Sequence, residues 1–320
     1  MLFSFIIPHR ETEVIASTKK YIEKACQYAK LKGNFEIIGV SGNQPSVQRN
    51  AAARVAKGKY LYFLDNDSHI GAKNLSYALE LFKKNKKIGL IGGPSLTPDT
   101  DSFLQKNFGL ILESNFAVGG KIKSRYASIG DVRETDEYEL ILCNMIIKKS
   151  VFDEVGGFKE HLYPNEENVL VNDILKLNYK VYYHPKIVVY RSQRNNMWQF
   201  VKQMLGYGRG RSEETLTMPK TFNIMALIPL GFVIYILASF VAIFFLNWKI
   251  VFAPLVLYLL VSVPFALQVA QKKHNVLSFF LAFRLFFTVH FFYGLGLIYG
   301  YCKQLLGSKK KKTEVYYKID

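Results

Sequence analysis

An apolar run at residues 60–64, YLYFL, stops abruptly at Asp65-Asn66-Asp67. Two carboxylates one residue apart at a strand end can offer oxygens to a hard divalent cation. Mg²⁺ or Mn²⁺ held by one or two carboxylates keeps positions open for substrate phosphates. The bland alternative is an Asx turn that simply ends the strand. A calcium loop is excluded, because Ser68-His69-Ile70 does not continue its ligand spacing.

Two further segments carry chemistry. Residues 45–59, PSVQRNAAARVAKGK, read as a helix whose free N-terminal N–H groups and dipole favour a phosphate. Arg49 in its first turn adds a charge-assisted contact, unless it is an ordinary surface arginine. Residues 163–168, YPNEEN, place Glu166 beside Glu167 ahead of a helix, after a turn at Gly156-Gly157-Phe158. Adjacent carboxylates repel, so one can keep a raised pKa and act as a base. Acid enrichment at a helix N-terminus explains the same pair without chemistry.

The elements that must position these groups follow from the pattern. Residues 3–7 form a buried strand, residues 14–32 a helix stopped by Gly33 and Asn34, and residues 36–40 a second strand. Ser46 is expected to cap the next helix and Gly58 to end it, before a third strand at 59–64. Strand and helix alternating in this way predict a parallel sheet with helices on its faces. Ligands bind beyond the carboxyl ends of such strands. Three polar loops lie there, PHRETE, SGNQPS and DNDSH, and together they mark one site. Further on, 88–93 and part of 140–158 read as strand, short helix and glycine turn. Residues 169–177 read as a helix, and 180–190 as β-rich.

In order, these segments resemble the family-2 glycosyltransferases over about residues 3–212. The resemblance rests on FIIPHRETE, on QRNAAARVAKGKYLYFLDND, on NMIIKKSVFDEVGGF and on NEENVLVNDILKLNYKVYYHPKIVVYR. It implies a GT-A fold, Rossmann-like, with a mainly parallel sheet covered by helices on both faces. It also implies roles. Asp67 becomes the main metal ligand with Asp65 in support. Pro8, Arg10, Glu11, Ser41, Arg49, Asn50 and Asp65 become the nucleotide-sugar contacts, and Glu167 becomes the base, preceded by Glu166. The base would take a proton from an acceptor hydroxyl as it attacks the anomeric carbon, giving inversion. Two departures stand out. Ser41-Gly42-Asn43 replaces the acidic stretch that usually contacts the nucleotide base, and the base position holds Glu rather than Asp.

Composition divides the chain. Half of its 320 residues are hydrophobic, and they concentrate in 221–302, where charges are scarce. The expected layout is a catalytic domain at 1–220, a helical membrane domain at 221–302 and a basic tail at 303–320. Residues 221–248 and 250–271 are each long enough to span a bilayer, joined by the short Asn247-Trp248-Lys249. Residues 276–302 contain Arg284 and His290. Laid in the interface, this stretch keeps the Lys309–Lys312 run in the cytoplasm; the alternative is a third span with Arg284 facing protein. Between catalytic core and membrane, Gln203, Arg209 and Arg211 either hold an acceptor diphosphate or form a positive-inside flank.

The net charge of +17 fits an anionic membrane surface and an anionic substrate, and no RNA-binding motif accompanies it. No nucleic acid is expected as a partner. Three widely spaced cysteines fit buried thiols in a reducing compartment. The apolar run near the start is too short for a signal peptide, so the first domain is expected to face the cytoplasm from the inner membrane. The expected function is metal-dependent sugar transfer from a nucleotide-sugar to a lipid-linked or otherwise membrane-associated glycan in envelope or extracellular polysaccharide synthesis. The rival readings are a sugar nucleotidyltransferase, which would need neither the NEEN helix nor membrane spans, and an inactive membrane scaffold.

Overall fold

The computed structural model describes residues 1–219, 224–306 and 316–319. In chain order the first elements are β1 (Phe3–His9), α1 (Ala16–Tyr28), β2 (Phe35–Gly42), α2 (Pro45–Val55), β3 (Tyr60–Phe63), β4 (His69–Ile70), α3 (Asn74–Lys84), β5 (Ile88–Gly92) and β6 (Ser95–Leu96). Next come α4 (Phe103–Leu112), α5 (Asn115–Val118), β7 (Arg133–Glu134), β8 (Met145–Lys148), α6 (Lys149–Glu154), α7 (Glu166–Lys176), β9 (Lys180–Tyr183) and β10 (Val189–Tyr190). The chain ends with α8 (Met197–Thr217), α9 (Leu227–Ala242), α10 (Trp248–Lys273), α11 (Val276–Leu305) and β11 (Tyr317–Ile319).

Two compact units result. The first holds Met1–Pro98, Ser124–Ser192 and Lys310–Asp320; the second holds Asp99–Lys123 and Gln193–Lys309. The boundary therefore does not follow the composition break expected at 220/221. Helices α4, α5 and α8 join the apolar helices, and β11 of the tail belongs to the first unit. Residues 220–223 and the Lys309–Lys312 run lie outside the described residues.

In the first unit the larger sheet runs β11-β2-β1-β3-β8-β5-β9-β7. The centre, β2-β1-β3, is parallel as expected. The rest is not. β8 inserts antiparallel between β3 and β5, β7 is antiparallel to β9, and β11 is antiparallel to β2. The sheet is mixed rather than mainly parallel, because strand direction depends on which strand the chain returns beside. Periodicity does not carry that information.

Side chains on the central strands alternate between two cores. Phe3, Phe5, Ile7, Tyr60, Tyr62 and Leu64 face one; Ile6, Leu61 and Phe63 face the other. Burial on both faces explains why these strands read as unbroken apolar runs. Each large side chain so buried contributes roughly 1.5–3 kcal/mol.

The boundaries of α2 differ from expectation at both ends. The helix starts with Pro45 in its first turn behind Gln44, and the Ser46 hydroxyl donates to Leu162 O at 3.1 Å instead of capping. Proline suits a first helical turn because the N–H it lacks would have no partner there. At the other end α2 closes on Ala56 in extended conformation. Gly58 lies beyond it, where a Cβ would sit 2.4 Å from Ser4 N. Its role is close packing against β1, not capping.

A smaller sheet has the order β4-β10-β6. Tyr190 of β10 faces His69 of β4, and Val189 faces Ile70. This register brings the residue after β10 level with the loop that precedes β4.

In the second unit α8 packs along α11, which also meets α9 and α10. Small residues permit the approach: a Cβ on Gly296 would lie 2.3 Å from Leu205 O, and one on Gly294 would lie 2.3 Å from Pro229 O. The stretches Ile224–Ala242, Trp248–Lys272 and Val276–Leu305 are long and apolar enough to cross a membrane.

Candidate active site

The three loops expected at the carboxyl ends of β1, β2 and β3 are tied together. Glu13 Oε2 accepts from Arg10 N at 2.9 Å and from Asn66 Nδ2 at 3.1 Å. Gln48 Nε2 donates to His9 O at 3.0 Å and to Val40 O at 2.6 Å. Thr18 Oγ1 donates to Asn66 O at 2.6 Å. Gln48 sits on the first turns of α2, so helix placement fixes the spacing of β1 and β2 at their active ends.

The Asp65–Asp67 loop closes through Asp65's backbone, whose N–H donates to Ser68 Oγ and whose carbonyl accepts from Ser68 N, both at 3.1 Å. The Asp65 carboxylate lies between two arginines. Arg49 Nη2 is 3.1 Å from Oδ1, and Arg191 Nη1 is 3.0 Å from Oδ2. Arg191 Nε is also 3.1 Å from Asp67 Oδ1. Both carboxylates thus converge on one guanidinium. That donor set fits a hard divalent cation. No cluster of three or more His, Cys, Asp or Glu able to hold a metal occurs among the described residues. Such an ion would draw its remaining ligands from water and substrate oxygens, as Mg²⁺ and Mn²⁺ do.

Arg49 reaches the second acidic pair as well. Its Nη1 lies 3.0 Å from Glu166 Oε1, with only 5 % and 2 % of the two side chains exposed. Burial pushes the Glu166 carboxyl up to about 7, Arg49 opposes that rise and Glu167 adds to it. Both acids occupy the first turn of α7, where the helix dipole favours negative charge. They face different partners, however. Glu167 Oε1 lies 3.5 Å from Arg125 Nη1, and Arg125 also donates to Asn168 Oδ1 at 2.7 Å and to Tyr138 O at 3.0 Å.

Asn50 is engaged with the glycine turn. Its Nδ2 donates to Phe158 O at 2.9 Å and to Glu160 Oε1 at 3.0 Å, while Oδ1 accepts from Phe158 N at 2.9 Å. The amide therefore clamps the Gly156-Gly157-Phe158 turn onto α2. Gly157 has φ +73°, and a Cβ there would lie 2.7 Å from Asn50 Oδ1, so glycine is required on both counts. The turn in turn sets Phe158 near the Arg49 guanidinium, 6.0 Å from its ring centre.

The other expected site residues fall as follows. Pro8 is buried at the end of β1 opposite Val40, while Arg10 and Glu11 are exposed on the loop after it. Ser41 is buried, pairs with Lys318 of β11 and donates to its carbonyl at 3.4 Å. Gln203, Arg209 and Arg211 lie on α8 in the second unit. There Gln203 donates to Tyr207 at 2.8 Å, Arg211 pairs with Glu214 at 2.9 Å, and Arg209 lies 3.8 Å from Glu213.

Sequence reasoning missed Arg191 and Arg125. Arg191 had a signal, a basic residue directly after the last short strand of VVYR. Arg125 had none, because its partners are more than ten residues away in the chain.

Residues 16–156 match the family model described as Glycosyl transferase family 2. No curated protein sequence matches the chain. Among solved structures it is similar to the mannosyltransferase PcManGT from Pyrobaculum calidifontis, solved in complex with GDP-Man and Mn²⁺. The identity is 12 %, the alignment covers 96 % of this chain and 88 % of that one, and the TM-score is 0.52. It is also similar to S. aureus TarS 1-349, at 14 % identity, 64 % coverage of each chain and a TM-score of 0.42. Against the longer TarS structure the identity is 15 %, and the match covers 64 % of this chain and 38 % of that one, with a TM-score of 0.42. The chain thus spans less than two thirds of the TarS lengths in these two alignments. The family match takes in Arg49, Asp65 and Asp67, and the likeness to PcManGT shows that the chain has a GT-A fold.

Proposed function

We propose that this protein transfers a sugar from a nucleotide-sugar, with inversion and with a divalent cation, to a membrane-associated, lipid-linked glycan acceptor. The setting is cell-envelope or extracellular polysaccharide synthesis. One observation carries the reading. The Arg49 guanidinium joins Asp65, at the carboxyl end of the central strands, to Glu166, at the start of α7. A cation-binding pair and an acidic pair are thereby held within one side chain of each other.

Asp65 and Asp67 would hold Mg²⁺ or Mn²⁺, which when bound supplies charge compensation for a leaving diphosphate. Glu167 is the base. It is poised in the first turn of α7, and removes the proton of the acceptor hydroxyl as that oxygen attacks the anomeric carbon. Arg125 orients it. Glu166, buried and paired with Arg49, is suited to holding geometry rather than to meeting substrate. The loop holding Arg10 and Glu11, with Ser41, lines the donor side at the carboxyl ends of β1 and β2.

The membrane arrangement we propose has two crossings, α9 and α10, with the catalytic unit on the cytoplasmic face of the inner membrane. Strand β11 supports it. The chain leaves the first unit after Ser192 and pairs with β2 again at Tyr317–Ile319. A chain that returns to the same sheet crosses a bilayer an even number of times. Helix α11 is the one suited to stay on the near side: it is the most buried of the three apolar helices and packs on α8. α8 itself buries Arg211, Glu213 and Glu214. Basic Lys272 and Lys303 flank the apolar stretches on the cytoplasmic side of this arrangement, where an anionic lipid surface would favour them.

The test is nucleoside diphosphate release by the detergent-solubilised protein across a panel of nucleotide-sugars, with lipid extract and Mn²⁺ or Mg²⁺, beside Asp67→Ala. Release from one donor that disappears with chelator and in the variant supports the reading and names the donor. Release that is indifferent to both sinks the metal assignment. Absence of any donor binding sinks the transferase assignment.

A further inference from the structure

The two arginines at the aspartate pair are built differently. Arg49 is buried and tied to a buried glutamate. Arg191 is 27 % exposed and Asp67 is 49 % exposed, so their ion pair meets water. Backbone geometry delivers Arg191 to this place. Tyr190 is in register with His69, and the Arg191 N–H donates to Leu96 O at 3.0 Å. The main chain is therefore pinned at the end of the small sheet, while the long side chain is left to choose its partner.

Its present partners are the two carboxylates that the cation would need. Nη1 takes Asp65 Oδ2 at 3.0 Å and Nε takes Asp67 Oδ1 at 3.1 Å. A guanidinium and a divalent cation cannot both sit between the same oxygens. Water-exposed ion pairs are weak and exchange readily, so Arg191 is displaceable where Arg49 is not. A displaced guanidinium needs a new anion. The one anion the proposed reaction brings to this spot is the donor diphosphate, whose oxygens suit the planar fork of an arginine.

We propose that Arg191 is an exchangeable counter-ion that couples cation binding to diphosphate binding. In the free protein it neutralises Asp65 and Asp67. When the cation enters it releases them and pairs with the diphosphate instead. This inference rests on the metal-dependent reading given above. Its thermodynamic consequence is reciprocal: nucleotide tightens cation binding and cation tightens nucleotide binding by the same factor. Cation alone must displace a positive charge that then has nowhere to go, so cation alone binds weakly.

The experiment measures Mn²⁺ binding to the full-length protein in detergent by the electron spin resonance signal of free Mn²⁺. It is run without nucleotide, with UDP and with GDP, on the wild type, Arg191→Ala, Arg191→Lys and Asp67→Ala. Thermal melting checks that each variant is folded. In the wild type, the matching nucleoside diphosphate should tighten Mn²⁺ binding by about 5–150-fold, the usual range of coupling between two sites. Arg191→Ala should bind Mn²⁺ alone about tenfold more tightly, and its coupling factor should fall below that of the wild type, leaving only the direct attraction of cation for diphosphate. Arg191→Lys, with a positive charge but no fork, should lie between them. The proposal is overturned if wild type and Arg191→Ala share the same coupling factor. It is equally overturned if the wild type binds nucleotide normally in chelator and never binds Mn²⁺, because Arg191 then replaces the cation permanently. Failure of every protein to bind UDP, GDP or any other nucleoside diphosphate is a different result, and removes the donor reading on which the inference rests.

Discussion

Arg49 and Glu166 stand 117 residues apart in the sequence and form a buried ion pair at 3.0 Å. The pair fastens α7 to α2, and because Arg49 also holds Asp65 it fastens both to the end of β3. A buried charge can be kept only when its partners are in place. The geometry of the site is therefore a condition of folding here, not an ornament added to a finished domain.

Removing the arginine tests that statement. Arg49→Ala leaves Glu166 buried without its counter-charge and should lower stability by about 3–5 kcal/mol. Urea unfolding of the solubilised protein checks it. Adding Glu166→Gln to the alanine variant should recover part of the loss, since the stranded charge is gone. An alanine variant as stable as the wild type would mean that the pair is dispensable.

Glu166 also makes stability depend on pH. Burial raises its folded-state pKa from the ordinary 4.5 to about 7. Between those values the native state binds the extra proton. Stability from this group is therefore highest below about pH 4.5, and falls as pH rises to about 7. Glu166→Gln should flatten that segment of the stability–pH curve. Unfolding series at closely spaced pH values would show the difference, and identical slopes in both proteins would contradict the raised pKa.

Glu167 should separate chemistry from binding. Glu167→Gln keeps the size of the side chain and removes the base, so turnover should fall by about 10²–10⁴-fold. Nucleotide affinity should stay at the wild-type value, while the melting temperature should fall modestly, because the largely buried Arg125 loses its carboxylate partner. Full activity in the variant would move the base elsewhere.

The glycine turn gives a comparison between neighbours. Gly156 and Gly157 both have positive φ, but nothing lies within 4 Å of a Cβ at Gly156, whereas Asn50 Oδ1 lies 2.7 Å from one at Gly157. Alanine at either position should cost about 1–3 kcal/mol for the backbone conformation. Gly157→Ala should cost more, because it also breaks the Asn50 clamp. Paired denaturation curves would reveal equal losses if the clamp were unimportant.

Membrane topology can be read from the tail. With the native cysteines replaced, Tyr316→Cys and Tyr28→Cys should react with an impermeant thiol reagent from the same side of sealed vesicles. Both positions are exposed in the first unit. Labelling from opposite sides would require an odd number of crossings, and would be incompatible with the pairing of β11 on β2.

Much of this protein was legible in the chain itself, and the reasons are local. Unbroken apolar runs at β1 and β3 announced strands buried on both faces. The abrupt polar ends of β1, β2 and β3 marked the loops that do meet, through Glu13 and Gln48. The ordered series from residue 3 to about 212 pointed to the family whose model matches residues 16–156, and to the GT-A fold that the structure has. The apolar stretches after residue 220 predicted helices long enough to cross a bilayer, which the structure has. Each of these properties is set by side chains within a few residues of one another. Tertiary structure decided the rest, because the remaining contacts join residues distant in sequence. β8 runs against β3, α8 leaves the domain to which its charges seemed to assign it, and β11 returns to the sheet. Asn50 serves the glycine turn, Glu166 rather than Glu167 takes the buried ion pair with Arg49, and Arg191 arrives through the register of β10 on β4. Which charges neutralise one another in a low-dielectric interior depends on where the fold brings them, and no periodicity along the chain records that.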